Sequence, residues 1–362
     1  MASVQQGVSC RIAGWAELKE LWRKLEASCD ISPFQTWDWV YNFQSHDLGP
    51  GEALLLSFEV EGTCVGIVPL AKMGGKGGLK RLTLLGGDYC DILALPEYQE
   101  EVVREFLEWL LAHRGTWDLV DIRGLKPGSP LLHPIAVKGL RVEKIPHQEY
   151  PAACLPPTWE AYLASLGKSL KTQLRYYPNK LARDHGHLGV TLATAETLDK
   201  DIDTLFRLHQ MRWESKGKPG IFGITQSRDF HKALAPQFLE SGILRLFVLR
   251  AGGRAAAAAY CFRLNQETIY YVGGFDTELA NYRPLKILIG KAIKSSVEEG
   301  QTVFDFIKGE EEYKSEWRAE NRQTYRLLIT SSGLKSKAVV AALKLEPKVK
   351  EMRRKYRAGK GR

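Results

Sequence analysis

The chain has 362 residues, 44% of them hydrophobic, which is enough to bury one large core or two of ordinary size, and we expect two. No apolar run approaches the roughly 20 residues that a transmembrane helix needs, and no signal-like segment opens the chain, so we predict a cytoplasmic protein without a membrane span. The six cysteines lie far from one another in the sequence, which argues against a disulfide scaffold or a zinc site, and we predict no metal.

The net charge of +9 is concentrated at the C-terminus. Residues 334–362 carry 11 Lys/Arg and 2 Glu, which accounts for the whole excess and leaves the rest of the chain balanced. Helical spacing on either side of Pro347, followed by a Gly/Lys/Arg segment, predicts a basic tail that is first helical and then disordered. The ordinary interpretation is that this tail keeps the protein soluble. The alternative is that it binds RNA or an anionic membrane surface.

The first half of the chain predicts one α/β domain over residues 1–156. Apolar spacing and turn residues predict helices at 15–25, 35–49 and 100–115, and strands at 53–62, 63–73, 81–87 and 116–125. The first two strands are joined by a Glu61-Gly62 turn and form a hairpin. The proline-rich segment 150–157 predicts the domain boundary.

Two glycine-rich segments in this half are weak candidates for a functional site. The run 74–78 contains Lys76 but lacks the Gly-Lys-Ser/Thr ending of a phosphate-binding loop, which favours an ordinary hairpin loop. Asp88 and Asp91 follow Gly86-Gly87, where aspartates are common turn formers, and paired carboxylates for acid–base work are the less favoured reading.

The second half predicts a similar α/β domain over residues 157–333. It predicts helices at 158–166, 165–186, 199–217 and 227–242, and strands at 189–195, 243–253 and 254–266. Lys168, Lys171 and Arg175 share one face of the second helix, which continues through Lys180 and Arg183. This stripe is either a solvated surface or, beside a cleft, an attractor for a polyanion such as the CoA phosphates or tRNA.

Residues 268–318 form the segment around which the rest of the chain is organised. They predict a strand, a crossover helix and a second strand, which is the unit that builds a parallel or splayed sheet. The turn before the helix lies where backbone N–H groups and the positive end of the helix hold anions. The loop 309–318 is dense in ionisable and aromatic residues and predicts the rim of a site.

This order of elements resembles the GNAT acyltransferase fold, and its double occurrence resembles the tandem arrangement of the FemXAB-like enzymes. More closely, the chain resembles the CelD/BcsL group of GNAT-like acetyltransferases. The residues that carry the resemblance up to about Leu328 are Ser32-Pro33-Phe34 with Trp37 and Trp39, 65–70, 85–89 with Asp91, 165–175, Leu208-His209, Arg212-Trp213, Gly217, 270–276, 304–306, Gly309-Glu310, Glu312-Tyr313-Lys314 and Trp317.

The resemblance implies an α/β (α+β) fold of two tandem GNAT-like domains, each a mixed twisted sheet flanked by helices. It implies an N-acyltransferase that passes an acyl group from acyl-CoA directly to a small amine acceptor. The segment 282–286 reads Tyr-Arg-Pro-Leu-Lys and lacks the glycines that GNAT enzymes place at the CoA pyrophosphate. Aminoacyl transfer from aminoacyl-tRNA is therefore the alternative, and a non-catalytic protein with a degenerate cofactor loop is another.

The resemblance also implies roles for individual residues. Tyr313-Lys314 matches the aromatic-Lys pair of the Fem aminoacyltransferases, so Lys314 is expected to stabilise the tetrahedral oxyanion. The other catalytic candidates, as general base, are Asp305, His209, Glu310 and Glu312. Expected donor-binding residues are Tyr271, Val272, Gly273, Arg283, Leu285 and Lys286, and expected substrate-binding residues are Arg212, Trp213, Asp276, Tyr313 and Trp317. A purely structural role remains the alternative for His209, Asp305 and Trp317.

Overall fold

The computed structural model describes residues 7–74, 78–133, 135–308 and 313–331. Within them the strands are β1 (Ser9–Ala13), β2 (Glu52–Val60), β3 (Thr63–Gly74), β4 (Lys80–Leu84), β5 (Leu93–Ala94), β6 (Leu119–Leu125), β7 (Leu140–Cys154), β8 (Leu188–Leu192), β9 (Leu244–Ala251), β10 (Arg254–Leu264), β11 (Glu267–Phe275), β12 (Val303–Asp305) and β13 (Glu320–Ser331). The Glu310 and Glu312 candidates, the Lys76 loop and the basic tail lie outside the described residues.

The α-helices are α1 (Trp15–Ser28), α2 (Trp37–His46), α3 (Gln99–Ala112), α4 (Trp159–Ser165), α5 (Lys168–His185), α6 (Leu198–Glu214), α7 (Thr225–Glu240), α8 (Pro284–Glu298) and α9 (Tyr313–Glu316). In the part of the chain that the structure describes, no helix is long and apolar enough to cross a membrane.

The chain divides into two compact units. Unit 1 contains residues 7–29, 50–147 and 325–331 of the described chain, and unit 2 contains residues 30–49 and 148–324. Helix α2 is grouped with unit 2 because its Trp39 packs edge-on against Phe230 of α7 and Phe262 of β10, with ring centroids 5.0 and 5.7 Å apart. The predicted division into domains 1–156 and 157–333 stays a prediction.

Unit 1 is a mixed sheet with helices packed on it. Its strand order is β1-β2-β3-β4-β6-β13, and the β4–β6 pair is parallel while the other neighbours are antiparallel. Buried side chains such as Trp22 of α1 and Phe106 of α3 supply the helix side of its core. The buried Asp121 of β6 accepts two hydrogen bonds from Arg326 of β13, at 2.6 and 2.9 Å, which joins the last strand to the sheet.

Four strands, β1, β5, β7 and β13, were not predicted from the sequence. β1 precedes the first helix, and its five residues are too few and too exposed to show a clear alternation. β7 is 15 residues long and runs through Pro146 and Pro151, so residues 150–154 of the proline-rich segment belong to a strand. The Pro151 carbonyl still accepts a hydrogen bond from the Phe306 N–H at 2.9 Å, and a strand needs no N–H from proline at such a position.

Unit 2 has the strand order β7-β12-β11-β10-β9-β8. β11 and β12 are parallel neighbours connected through α8, which confirms the predicted strand, crossover helix and strand. The other neighbours in this sheet are antiparallel. Gly273 and Gly274 of β11 face opposite sides of the sheet because side-chain directions alternate along a strand.

The two glycines allow helices to approach β11 closely from both sides. A Cβ atom on Gly273 would lie 2.9 Å from the Leu285 side chain of α8. A Cβ atom on Gly274 would collide with the backbone of α6 at Leu208 and His209. Backbone atoms of a packed helix cannot move aside as a flexible side chain can, so Gly274 fixes the distance between α6 and the sheet.

We expect Gly274→Ala to destabilise the protein by about 3 kcal/mol or more, because the added methyl group meets helix backbone in a closely packed core. The matched control is Gly189→Ala in β8, where an added Cβ has nothing within 4 Å. The control should be neutral or slightly stabilising, because alanine reduces the entropy of the unfolded chain. Urea unfolding of both variants measures the difference, and equal stabilities would contradict the packing described.

Candidate active site

Strands β11 and β12 stay together for only three residue pairs. These pairs are Glu267 with Val303, Thr268 with Phe304 and Ile269 with Asp305. Beyond them, β11 continues alongside β10 as far as Phe275, whereas the chain after Asp305 follows β7. A wedge therefore opens between residues 270–275 on one side and 306–308 on the other.

A β-bulge lies where the wedge opens. Tyr260 of β10 pairs with Val272, and its neighbour Cys261 pairs with Tyr270, so Tyr271 is an extra residue in β11. A bulge of this kind bends the strand and redirects its backbone groups. It helps to turn the end of β11 away from β12.

The outer edge of β11 presents backbone groups to the wedge. The Asp276 N–H donates to the Ala256 carbonyl of the β10 chain at 3.0 Å. Because alternate residues of an antiparallel strand face opposite edges, the N–H groups of Gly273 and Phe275 point away from β10. The Gly273 carbonyl accepts a hydrogen bond from Arg212 Nη1 at 3.1 Å, which is consistent with this direction. The edge can thus donate hydrogen bonds to a carbonyl group bound in the wedge.

The other side of the wedge is a strained turn held by two predicted catalytic residues. Ile307 has φ of +43°, a backbone conformation that β-branched residues rarely adopt. The buried Asp305 carboxylate accepts the Ile307 N–H at 2.5 Å. Lys314 Nζ donates to the carbonyls of Phe306, Ile307 and Lys308 at 3.2, 3.4 and 3.2 Å.

The Lys314 side chain is 3% exposed, so its ammonium is buried and does not point into solvent. It makes three hydrogen bonds to the segment that borders the wedge. A buried ammonium is costly unless it is well solvated by protein dipoles, and these carbonyls supply that solvation. The residue therefore holds a positive charge at the wedge and shapes its wall at the same time.

His209 and Trp213 of α6 form a fixed pair. Trp213 Nε1 donates to His209 Nε2 at 2.8 Å. The indole N–H can only donate, so Nε2 must accept, and the proton of the neutral imidazole lies on Nδ1. Gly220 closes over the pair, since a Cβ there would lie 2.9 Å from both rings. The Nε2 lone pair of His209 is thus already used, which makes this histidine a poor general base in this arrangement.

A second buried histidine, His231 of α7, lies behind the first. It packs against Phe222 and Tyr271 with ring centroids 5.3 and 5.4 Å away, and His209 itself lies 4.8 Å from Phe222. Burial, together with the charge of Arg212, lowers the pKa of His209 to about 4. Burial and the neighbouring His209 lower the pKa of His231 to about 3. Both rings are therefore neutral in the folded protein near pH 7.

The predicted anion site at the start of α8 is built differently from a glycine-rich loop. Arg283 adopts a left-handed conformation, with φ of +51°, and is exposed. Lys286 Nζ pairs with Glu316 at 2.6 Å and donates to Gln173 at 2.8 Å, so its charge is shared with α9 and α5. Just before the helix, the Tyr282 hydroxyl donates to the Asp184 carboxylate at 3.1 Å, and that carboxylate pairs with Arg183 at 2.8 Å.

Other predicted site residues have structural contacts. Asp276 is buried, pairs with Arg254 at 2.7 Å and caps the turn that follows β11. Trp317 is fully buried, and its carbonyl accepts the Tyr162 hydroxyl at 2.7 Å. Leu285 packs in the core against β11, and Tyr271 packs among the aromatic rings of α2 and α7. Val272 is half-buried in β11, and Tyr313 begins α9. The functional roles proposed for these residues stay predictions.

Sequence reasoning missed three features of this site. His231 on the next α-helix packs against the same Phe222 ring as His209, and nothing in the spacing of the two histidines indicates this. Ile307 adopts a left-handed backbone conformation, and the sequence has no glycine or asparagine at this position to indicate it. The Gly274 contact with α6 had one available signal, which was a pair of adjacent glycines inside an otherwise β-branched and aromatic strand.

Comparisons with known proteins agree with this geometry. Residues 168–315 match a family model described as an acetyltransferase (GNAT) domain. A search of the curated proteins gave no match. The structure of FemX superposes with a TM-score of 0.60 and 11% identity, covering 88% of this chain and 96% of that chain.

Two further solved structures share the fold over most of the chain. L-PGS from Bacillus licheniformis gives a TM-score of 0.55 and 15% identity, with 89% of this chain and 95% of that chain covered. The second is the C-terminal domain of a protein from Agrobacterium fabrum that is named as a lysylphosphatidylglycerol synthetase. It gives a TM-score of 0.56 and 14% identity, with 92% of this chain and 97% of that chain covered.

The parted strands β11 and β12, the crossover helix between them and the family match over residues 168–315 show that the second half of the chain contains a GNAT acetyltransferase-type domain. FemX superposes on nearly the whole length of the chain, so the two share a fold, that of the FemXAB-like GNAT superfamily. The predicted fold class and the predicted resemblance to this superfamily are confirmed. Membership of the CelD/BcsL group stays a prediction.

The two buried histidines predict a loss of stability in mild acid. Their pKa values in the folded protein lie below the ordinary value of about 6.5, so the unfolded chain binds more protons between about pH 6.5 and 4. The free energy of unfolding should therefore be fully retained above pH 6.5 and fall as the pH drops through that window. Each histidine contributes a slope of up to about 1.4 kcal/mol per pH unit.

Denaturant unfolding of the wild type and of His231→Gln from pH 7.5 to 4.5 measures this slope. The variant should lose about half of the histidine contribution, since one of two titrating rings is removed. His133→Gln, at an exposed position, is the matched control and should keep the wild-type slope. Identical slopes for all three proteins would show that His231 does not titrate on unfolding.

Proposed function

We propose that this enzyme transfers an aminoacyl group from an ester donor, aminoacyl-tRNA, to an amine acceptor bound at the wedge of unit 2. The observation that carries the choice of donor is the start of α8. Its N-terminal turn has no glycine, and its Lys286 is paired with Glu316. Each feature disfavours the pyrophosphate of CoA at that place.

The wedge supplies what acyl transfer needs from any donor. The acceptor nitrogen attacks the carbonyl carbon, the oxygen takes up negative charge, the C–O bond to the ribose breaks, and the ribose hydroxyl leaves with a proton. The N–H groups of Gly273 and Phe275 are available to the carbonyl oxygen along the open edge of β11. Prearranged donors of this kind are each worth roughly 10²–10³ in rate.

Lys314 is the proposed second support for the developing charge. Its ammonium already binds three carbonyls beside the wedge and needs only to exchange one of them for the oxyanion. Asp305 keeps this arrangement in place, because it accepts the N–H of the strained Ile307. We assign Asp305 to positioning rather than to proton transfer, because this hydrogen bond occupies Oδ1.

The relatives support an aminoacyl donor. One neighbour in structure is FemX, and another is named as a lysylphosphatidylglycerol synthetase, a name that describes a lysyl group joined to a lipid. The family model, in contrast, is named for acetyl transfer, and acetyl-CoA is therefore the second candidate donor. The acceptor belongs to the class of small amines in either case.

A donor exchange assay separates the candidates. Purified enzyme is mixed with a small-molecule amine extract and either tRNA charged with radiolabelled amino acids or radiolabelled acetyl-CoA. We expect acid-stable label in small molecules from charged tRNA. Label from acetyl-CoA alone would reverse the choice of donor, and no label from either would favour the non-catalytic alternative.

The assay is repeated with Lys314→Met, which keeps the length of the side chain but removes its charge and its three donors. Its rate should fall by about 10²–10³, as for the loss of one oxyanion donor. Lys200→Met, at an exposed position of α6, is the matched control and should retain the wild-type rate. Thermal unfolding of Lys314→Met separates a loss of chemistry from a loss of folding, and a folded variant with full activity would exclude Lys314 from the reaction.

A further inference from the structure

A groove of about 400 Å³ lies on unit 2. Helices α4, α5 and α8 form its walls, and we call it the α5–α8 groove. Its lining residues are Trp159, Leu163, Lys171, Leu174, Arg175, Pro178, Ile287, Gly290, Lys291 and Lys294. The volume falls within the range of small-molecule sites, and the lining contains four basic residues and no acidic residue.

The basic residues form the rim of the α5–α8 groove. Lys171 Nζ donates to the Ala164 carbonyl at 2.7 Å, which holds that side chain at the end of α4. Lys294 lies 3.5 Å from Glu298 in an exposed pair, and such pairs are weak. Arg175 and Lys291 are exposed and make no ion pair with any described residue. The rim therefore presents net positive charge to solvent.

The floor of the groove is apolar. Leu174 of α5 packs onto α8 at Gly290, where a Cβ would lie 2.9 Å from its methyl group. Trp317 lies beneath the same glycine, 3.3 Å from the position of that Cβ. Ile287 is buried, and Leu163 and Trp159 are half-buried beside it. A ligand lying in the groove would thus contact hydrocarbon below and cations above.

A second hollow continues the basic surface along α5. It has a volume of about 340 Å³ and is lined by Thr172, Arg175, Tyr176, Asn179, Lys180 and Arg183. Arg175 lines both hollows, so the two form one continuous surface. Tyr176 is 53% exposed, and an exposed tyrosine among lysines and arginines is typical of a protein surface that meets lipid headgroups.

We propose that the α5–α8 groove is a docking site for an anionic phospholipid surface, with lipid phosphate at the basic rim and the first part of an acyl chain on the apolar floor. The charge of the rim matches anionic headgroups, and the floor matches hydrocarbon. RNA would contact the rim through its phosphates, whereas the leucine and isoleucine side chains of the floor match an acyl chain. The site would hold the enzyme at a membrane without a spanning helix.

Co-sedimentation with lipid vesicles tests the proposal. The full-length protein should bind vesicles of phosphatidylglycerol and phosphatidylcholine, should not bind vesicles of phosphatidylcholine alone, and should dissociate as salt is raised. Lys291→Gln combined with Lys294→Gln should weaken binding by about 25-fold, because each lysine near an anionic surface contributes about fivefold. Lys19→Gln combined with Lys24→Gln removes the same charge from exposed positions of α1 and should leave binding unchanged.

A third variant tests the floor. Leu163→Gln should bind vesicles nearly as well as the wild type at low salt. At high salt it should lose the residual binding that the wild type keeps, because hydrocarbon contacts are not screened by ions. The proposal would be overturned by the absence of vesicle binding, by equal losses in the α8 and α1 double variants, or by RNA displacing the vesicles and binding more tightly than they do.

Discussion

The early separation of β11 and β12 is the constraint on which the proposed chemistry depends. Two parallel strands that stayed paired would satisfy each other's backbone groups and leave nothing to hold a substrate. Here the pairing ends at Ile269 and Asp305, and the bulge at Tyr271 helps to turn β11 aside. The freed edge of β11 becomes a row of hydrogen-bond donors with fixed direction. Every other feature of the site serves either to keep these strands apart or to supply charge at the opening.

The chain keeps the wedge open with packing on one side and polar contacts on the other. Gly274 lets the backbone of α6 lie directly on β11, so the helix and the strand move as one piece. On the far side, Asp305 and Lys314 hold a turn that contains a strained isoleucine. Strain of this kind persists only where surrounding contacts fix it, and it is often found at functional sites. Residues that look catalytic in the sequence are therefore also the supports of the site.

Much of the fold was predictable from the sequence, because helical spacing and glycine-marked turns are local signals. The unit from β11 through α8 to β12 was predicted from its apolar pattern alone. The geometry of the site was not, since it depends on contacts between residues far apart in sequence. His231 and His209 reach the same Phe222 ring only after α6 and α7 pack together, and Lys286 pairs with Glu316 only after α9 forms. The sequence indicated Lys314 as a site residue, but nothing in it indicated that the ammonium would bind three backbone carbonyls.

The claim that the wedge receives an aminoacyl ester is tested most directly by a crystal structure with a non-hydrolysable analogue, an adenosine carrying an aminoacyl amide at its 3′ position. The account predicts that its carbonyl oxygen lies about 3 Å from the N–H of Gly273 or Phe275, on the side of the wedge that faces Lys314. An analogue bound elsewhere, with CoA instead seated at the start of α8, would contradict it.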